Sequence, residues 1–203
     1  MLSTRISRST AAYALAVIAG LALLLAGCGS STQDGTSPES SQGPEEINPP
    51  GDIPDDQVFV PFTPDSGLFT VSVPEGWARS GDGDAVTFTD NLNSVRIETA
   101  ATASAPDVAS ATTQELPDIE SATTSYTPGE VTMVTRTAGE AVLITYGAES
   151  DSDPVTGETT MDSVERYEFW QDGVEVILTL SGPVGADNVD PWKIITDSFA
   201  WTS

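Results

Sequence analysis

Residues Ser163–Ser181, SVERYEFWQDGVEVILTLS, decide the fold. Two runs rich in β-branched and aromatic residues flank Asp172-Gly173, and both central positions of a type I′ turn favour residues that tolerate positive φ. The stretch predicts a hairpin of strands Ser163–Gln171 and Val174–Ser181. Upstream, Val131–Thr137 and Ala141–Gly147 have the same strand character and should lie beside it. Downstream, Asp190-Pro191 fits an N-cap followed by the first helical position. Trp192, Ile195 and Phe199 then fall at i, i+3 and i+7, so one face of that helix should pack on the sheet.

Further upstream, Phe69, Val71 and Val73 alternate with Leu68, Thr70 and Ser72 in Gly67–Val73, and Pro74-Glu75-Gly76 supplies a turn before Trp77. Ala85–Thr89 and Ser94–Thr99, joined by residues 90–93, predict a meander. Pro106 and Asp107 suit the opening of a helix that Val108, Ala111 and Glu115 continue and Pro117 should stop. The sum is an α+β domain, an antiparallel sheet of about six to seven strands packed with two main helices. The sequence shows no internal repeat and no second linker.

The chain begins differently. Arg5 and Arg8 precede an apolar run, Ala11–Leu25, interrupted only by Gly20. That run is shorter than the roughly 20 residues a spanning helix needs, and it leads into small residues, as a secretion signal does. Leu25-Ala26-Gly27-Cys28 resembles the lipobox of bacterial lipoproteins. The resemblance implies cleavage after Gly27 and a diacylglyceryl group on Cys28, the single cysteine of the chain. Gly29–Asp56 is rich in Ser, Gly, Pro, Gln and acid, with Ile47 and Ile53 as its large apolar residues. Such a segment buries too little surface to offset its ordering entropy, and as a flexible chain it reaches about 30 Å. The expected organisation is a signal peptide over residues 1–27, a lipidated, disordered acidic tether over 28–56, and one folded domain over 57–203. The expected location is the outer face of the cytoplasmic membrane.

Charge and composition exclude several functions. The formal net charge is −24, with 31 acidic and seven basic residues; losing Arg5 and Arg8 with the signal would take it to −26. Binding to nucleic acid or to anionic lipid depends on Lys and Arg, so neither is expected as a partner. The chain contains no histidine. That excludes a Ser-His-Asp triad, a Cys-His pair and histidine-based zinc sites. A Ser-Lys nucleophile would need Lys193, which sits among acids in the predicted last helix.

The acids themselves are numerous and unspecific. Glu165 and Glu168 flank Tyr167 on a predicted strand, where alternation places them on a solvated face. Asp82, Asp84 and Asp90 crowd one predicted turn, and Glu149, Asp151, Asp153 and Glu158 another, but neither group has EF-hand spacing and both read as surface loops. Gly81 and Gly83 lie among acids that would repel phosphate. Trp77, Trp170, Trp192 and Trp201 read as core residues before they read as a binding platform. No catalytic residue, metal ligand or cofactor is expected.

The pattern Ser66-Gly67-Leu68-Phe69-Thr70-Val71-Ser72-Val73-Pro74-Glu75-Gly76-Trp77, with the closing Trp192-Lys193-Ile194-Ile195-Thr196-Asp197-Ser198-Phe199, resembles PsbP-like domains and is similar to the LpqN-type lipoproteins. The resemblance implies an antiparallel sheet between helices and a non-catalytic binding or adaptor module for cell-envelope machinery, with an envelope protein as partner. The alternatives are a carrier or sensor of a hydrophobic or cationic ligand, and a carboxylate-based hydrolase. Fold alone does not choose among them.

Overall fold

The computed structural model of the chain describes residues 50–90, 92–152 and 156–202. The expected signal, Gly27, Cys28 and most of the expected tether lie outside the described residues. The fold is α+β. Seven antiparallel strands form the main sheet: β3 (Ala78–Asp82), β4 (Ala85–Asp90), β5 (Asn93–Ala101), β6 (Thr127–Arg136), β7 (Gly139–Glu149), β8 (Met161–Gln171) and β9 (Val174–Pro183), in the order β3-β4-β5-β9-β8-β7-β6. A smaller sheet has the order β1-β2-β10, from β1 (Phe59–Phe62), β2 (Phe69–Pro74) and β10 (Ala200–Trp201). The hairpin at Asp172-Gly173 forms as its residues require, with φ of 50° and 87° at the two positions and Gln171 opposite Val174.

One crossover builds the main sheet. After the β3-β4-β5 meander the chain passes through helix α1 (residues 108–122) to the far edge, and β6 to β9 then fold back until β9 pairs with β5. Asp107 opens α1 with a capping box: its Oδ1 accepts from Ser110 N at 2.7 Å, and Asp107 N donates to Ser110 Oγ at 2.9 Å. Each such cap stabilises a helix by about 1 kcal/mol.

Pro117 does not stop α1, contrary to the sequence expectation. Residues Ala111–Glu115 form a π-helical turn, with Leu116 N donating to Ala111 O, and the α-helix resumes over Leu116–Ala122. In a regular helix the proline ring would press on the carbonyl four residues back, whose donor is also missing. The wider turn makes room, and the hydroxyls of Thr112 and Thr113 bond the carbonyls of Val108 and Ala109 at 2.6 and 2.7 Å. The helix is distorted where a stop was expected.

Helix α2 (Val189–Ser198) covers the other side of the sheet. It starts earlier than expected: Asn188 holds the N-cap position and Asp190 lies in the first turn, where an acid suits the helix dipole. Trp192, Ile195 and Phe199 are buried as the spacing predicts. They join Phe69, Val71 and Val73 of β2, Val95 and Ile97 of β5, Tyr167 and Phe169 of β8, and Leu178 and Leu180 of β9 in one apolar core. Phe199 stacks on Phe169 at 4.3 Å between ring centroids and lies 5.4 Å from Phe69.

The end of the expected tether also belongs to the fold. Ile53 is 4% exposed and packs in the core. Its N–H donates to Asn188 Oδ1 at 2.8 Å, while Gly51 O accepts from Asn188 Nδ2 at 3.0 Å and from Asn93 Nδ2 at 2.9 Å. Asn188 Nδ2 also donates to Asn93 Oδ1 at 2.9 Å. Gly182 lies so close that a Cβ there would stand 2.4 Å from Asn93 Oδ1. The two amides thus clasp residues 51–53 to the end of the sheet, and the folded part begins before Gln57.

Candidate functional site

Strand alternation sends Tyr167 and Phe169 of β8 into the apolar core and turns Arg166, Glu168 and Trp170 to the opposite face. The register extends that face across the sheet. Glu168 stands opposite Val142 of β7 and Ile177 of β9, Ile177 opposite Glu98 of β5, and Trp170 opposite Glu175. Helix α1 lies over it. Ala111, Leu116 and Ile119 pack on Val131, Val142, Ile144 and Tyr146, and this small apolar seam seats the π turn so that Glu115 meets the charged residues of β8 and β9.

The result is a group of acids around Arg166, of which Glu168 and Glu175 are buried and Glu98 and Glu115 half-buried. Arg166 Nε donates to Glu168 Oε1 at 2.9 Å, and its terminal nitrogens lie 3.5 Å from Glu115 Oε2 and 3.9 Å from Glu98 Oε2. Carboxylate oxygens of Glu115, Glu168 and Glu175 lie within 4.8 Å of one another. Glu168 has no exposed side-chain surface, and Glu175 is 8% exposed. Among the described residues, Glu168 Oε2 and Glu175 Oε1 have no hydrogen-bond partner.

Four carboxyls face two guanidiniums here, Arg166 and the Arg96 that pairs with Glu98 at 2.8 Å, so the charge does not balance. Burial pushes the Glu168 carboxyl up to about 8, and neighbouring Glu115 adds to the shift against the opposing effect of Arg166. Burial also raises Glu175, with Glu115 adding to it. Burial works against the Arg166 charge, but Glu168, Glu115 and Glu98 together raise its pKa further. A buried carboxylate is costly unless it is paired, protonated or bound to a cation. A cavity of about 320 Å³ adjoins the group, lined by Ala105, Pro106, Met133, Glu140, Glu168 and Trp170 among others.

Sequence reading placed Glu168 on a solvated face, and the structure corrects this: alternation identifies a face but not what covers it. Glu165 points to the other side, where its Oε2 accepts from Tyr167 OH at 2.6 Å and Arg136 Nη2 donates to the same hydroxyl at 2.7 Å. Arg136 Nε donates to Thr196 Oγ1 of α2 at 3.0 Å. Glu165 and Glu168, three apart on one strand, therefore do not converge.

The expected acidic turns do not assemble a site among the described residues. Asp84 precedes β4 and Asp90 ends it, so an extended strand separates them. Glu149 is occupied by hydroxyls, accepting from Ser125 Oγ at 2.9 Å and Thr159 Oγ1 at 2.6 Å, while Asp153 lies outside the described residues. Lys193 is paired with Asp197 in the exposed face of α2. Of the tryptophans, Trp192 is buried at the core, Trp77 and Trp201 pack partly against it, and Trp170 lines the cavity.

Sequence reasoning missed the convergence of Glu115 and Glu175 on Glu168. Half the signal was present: a two-residue turn at Asp172-Gly173 fixes Gln171 opposite Val174, and counting outward puts Glu168 and Glu175 on one face. Glu115 could not be counted in, because its position depends on the π turn.

The fold defines this chain as an α+β domain with an antiparallel sheet between helices. Solved structures to which the chain is similar include the cyanobacterial PsbP protein CyanoP from Synechocystis sp. PCC 6803, with 12% identity, a TM-score of 0.48, and coverage of 75% of this chain and 98% of that one. Another is LpqN, described as involved in cell envelope biogenesis of Mycobacterium tuberculosis, with 11% identity, a TM-score of 0.45, and coverage of 73% and 93%. A third is the Ran-binding protein Mog1p of Saccharomyces cerevisiae, with 12% identity, a TM-score of 0.46, and coverage of 71% and 95%. No protein-family model and no curated protein matches the sequence.

Proposed function

We propose that the chain is a non-catalytic binding module, held on the outer face of the cytoplasmic membrane by lipid on Cys28, which docks with protein machinery of the cell envelope. The observation that carries the non-catalytic reading is the enclosure of its best acid-base group. A general acid must come within about 3 Å of its substrate, or act through one water, whereas Glu168 has no exposed side-chain surface and its Oε1 is held by Arg166. This counts against the carboxylate-based hydrolase, although one carboxyl pushed up beside others is the pattern that reading requires. Storage of a hydrophobic ligand in the core is disfavoured by close packing: Phe69, Phe169, Phe199, Leu178 and Leu180 fill that side of the sheet with 1% exposure or less. The cluster of Glu115, Glu168 and Glu175 favours a second reading, a sensor of a cationic ligand.

Crosslinking in living cells, followed by purification of the full-length protein, tests the docking reading. An envelope protein recovered with the native chain and lost with Cys28→Ala supports it. Recovery of no protein partner, or full membrane retention of Cys28→Ala with unchanged mass, rejects docking or lipidation respectively.

A further inference from the structure

We propose that Glu115, Glu168 and Glu175 form a binding site for one hard divalent cation of the calcium, magnesium or manganese class, held between α1 and the main sheet. The inference deepens the cation-sensor reading and rests on it alone. Its first support is geometric: oxygens from three separate elements lie within 4.8 Å of one another, a spacing that ligands sharing one ion at 2.0–2.6 Å can satisfy. The second is an unpartnered group aimed into the cluster. Glu175 is 8% exposed, its Oε1 has no hydrogen-bond partner among the described residues, and it brings a buried charge into a place that already holds an excess of acid.

Arg166 does not occupy the site it helps to shape. It takes Glu168 Oε1 and Glu115 Oε2, which leaves Glu168 Oε2 and Glu175 Oε1 for an ion. With Glu98 and its partner Arg96 included, four carboxyls against two guanidiniums leave an excess of two negative charges when all are ionised, which a divalent ion offsets. The donor set is oxygen throughout, which selects hard cations over soft ones. The adjoining cavity of about 320 Å³ touches Glu168 and has Glu140 in its lining.

Function follows from where the ligands sit. Glu115 belongs to the π turn of α1, whereas Glu168 and Glu175 belong to neighbouring strands. An ion bound by all three would tie the helix to the sheet, and its loss would leave like charges pressing them apart. Cation concentration would thereby set how firmly α1 is seated.

Calorimetric titration of the chelator-treated full-length protein at pH 8 with calcium, magnesium and manganese chlorides is the test. We expect saturable binding of one ion per chain by at least one of the three, weakened about tenfold or more by Glu175→Gln and by Glu168→Gln. Glu149→Gln, which alters a half-buried acid at the far end of β7, should leave it unchanged. Should a variant fail to fold, paramagnetic broadening by manganese in the unaltered protein gives the same information: amide signals of Glu115, Glu168 and Glu175 should vanish first. Binding that survives both variants, with broadening centred on the loop after Glu149, would overturn this site while leaving a cation sensor standing elsewhere. Absence of saturable binding by any of the three ions would overturn the site and the divalent-cation form of that reading together.

Discussion

The two faces of the seven-stranded sheet are built from the same strands and covered by one helix each, yet they are held together differently. Under α2 the contact is apolar, with Val95, Phe169, Leu178, Leu180, Ile195 and Phe199 all at 1% exposure or less. Under α1 the apolar contact is a narrow seam around Ala111, Val142 and Ile144, and beside it stand Glu98, Glu115, Arg166, Glu168 and Glu175. One face is stabilised by removing hydrocarbon from water, at about 25 cal/mol per Å². The other encloses charge that it does not balance. Stability should therefore reside on the α2 side and responsiveness on the α1 side.

The largest effect should come from Phe199→Ala, which removes a fully buried ring stacked on Phe169 and near Phe69 and Trp201. A loss of about 3–5 kcal/mol is expected, read from the urea midpoint. A loss below about 1 kcal/mol would mean that the aromatic stack is not central to the core. Asn188→Ala comes next. It removes the acceptor of the Ile53 N–H and the donor to Gly51 O and Asn93 Oδ1, at a cost of about 2 kcal/mol. Early proteolytic cutting near Ile53 would mark release of the clasp without collapse of the sheet.

The smallest effect has the opposite sign. Glu168→Gln removes charge from the crowded face and should raise stability by about 1 kcal/mol at pH 8 in metal-free solution, with little gain at pH 5. The reason lies in the linkage. Because the folded protein raises the Glu168 carboxyl from 4.5 to about 8, it binds that proton more tightly than the unfolded chain does. The corresponding stability is fully present below the unfolded value and is lost as pH rises through the folded one. Thermal melts of the metal-free native protein should fall between pH 5 and 8, and the variant should flatten that slope. An unchanged slope would show that Glu168 does not hold the proton.

The apolar face was legible in the sequence because burial there follows the alternation of β2, β8 and β9 and the i, i+3, i+7 spacing of α2. Asp172-Gly173 fixed the central hairpin because few dipeptides accept two positive φ values. The charged face was not legible. Alternation marks Glu168 as turned away from the apolar core, which it is, but the same pattern describes a residue in water and one beneath a helix. Pro117 hid the cover itself, since a proline inside a helical pattern ordinarily argues for an end. Ile53 was read as tether because a single apolar residue among Pro, Asp and Gly carries no periodicity, and its burial depends on two distant asparagines.

The clasp on residues 51–53 also has a mechanical meaning. A pull arriving through the chain ahead of Gly51 would meet Asn93 and Asn188 before it reached β1, which is held to the rest of the fold along β2. Because Asn93 begins β5 and Asn188 stands at the start of α2, the load would pass to the central strands and the last helix together. The outer strand would then be spared from unzipping one bond at a time. Such a fastening would spread a pull on the preceding chain over two elements of the core instead of peeling one edge.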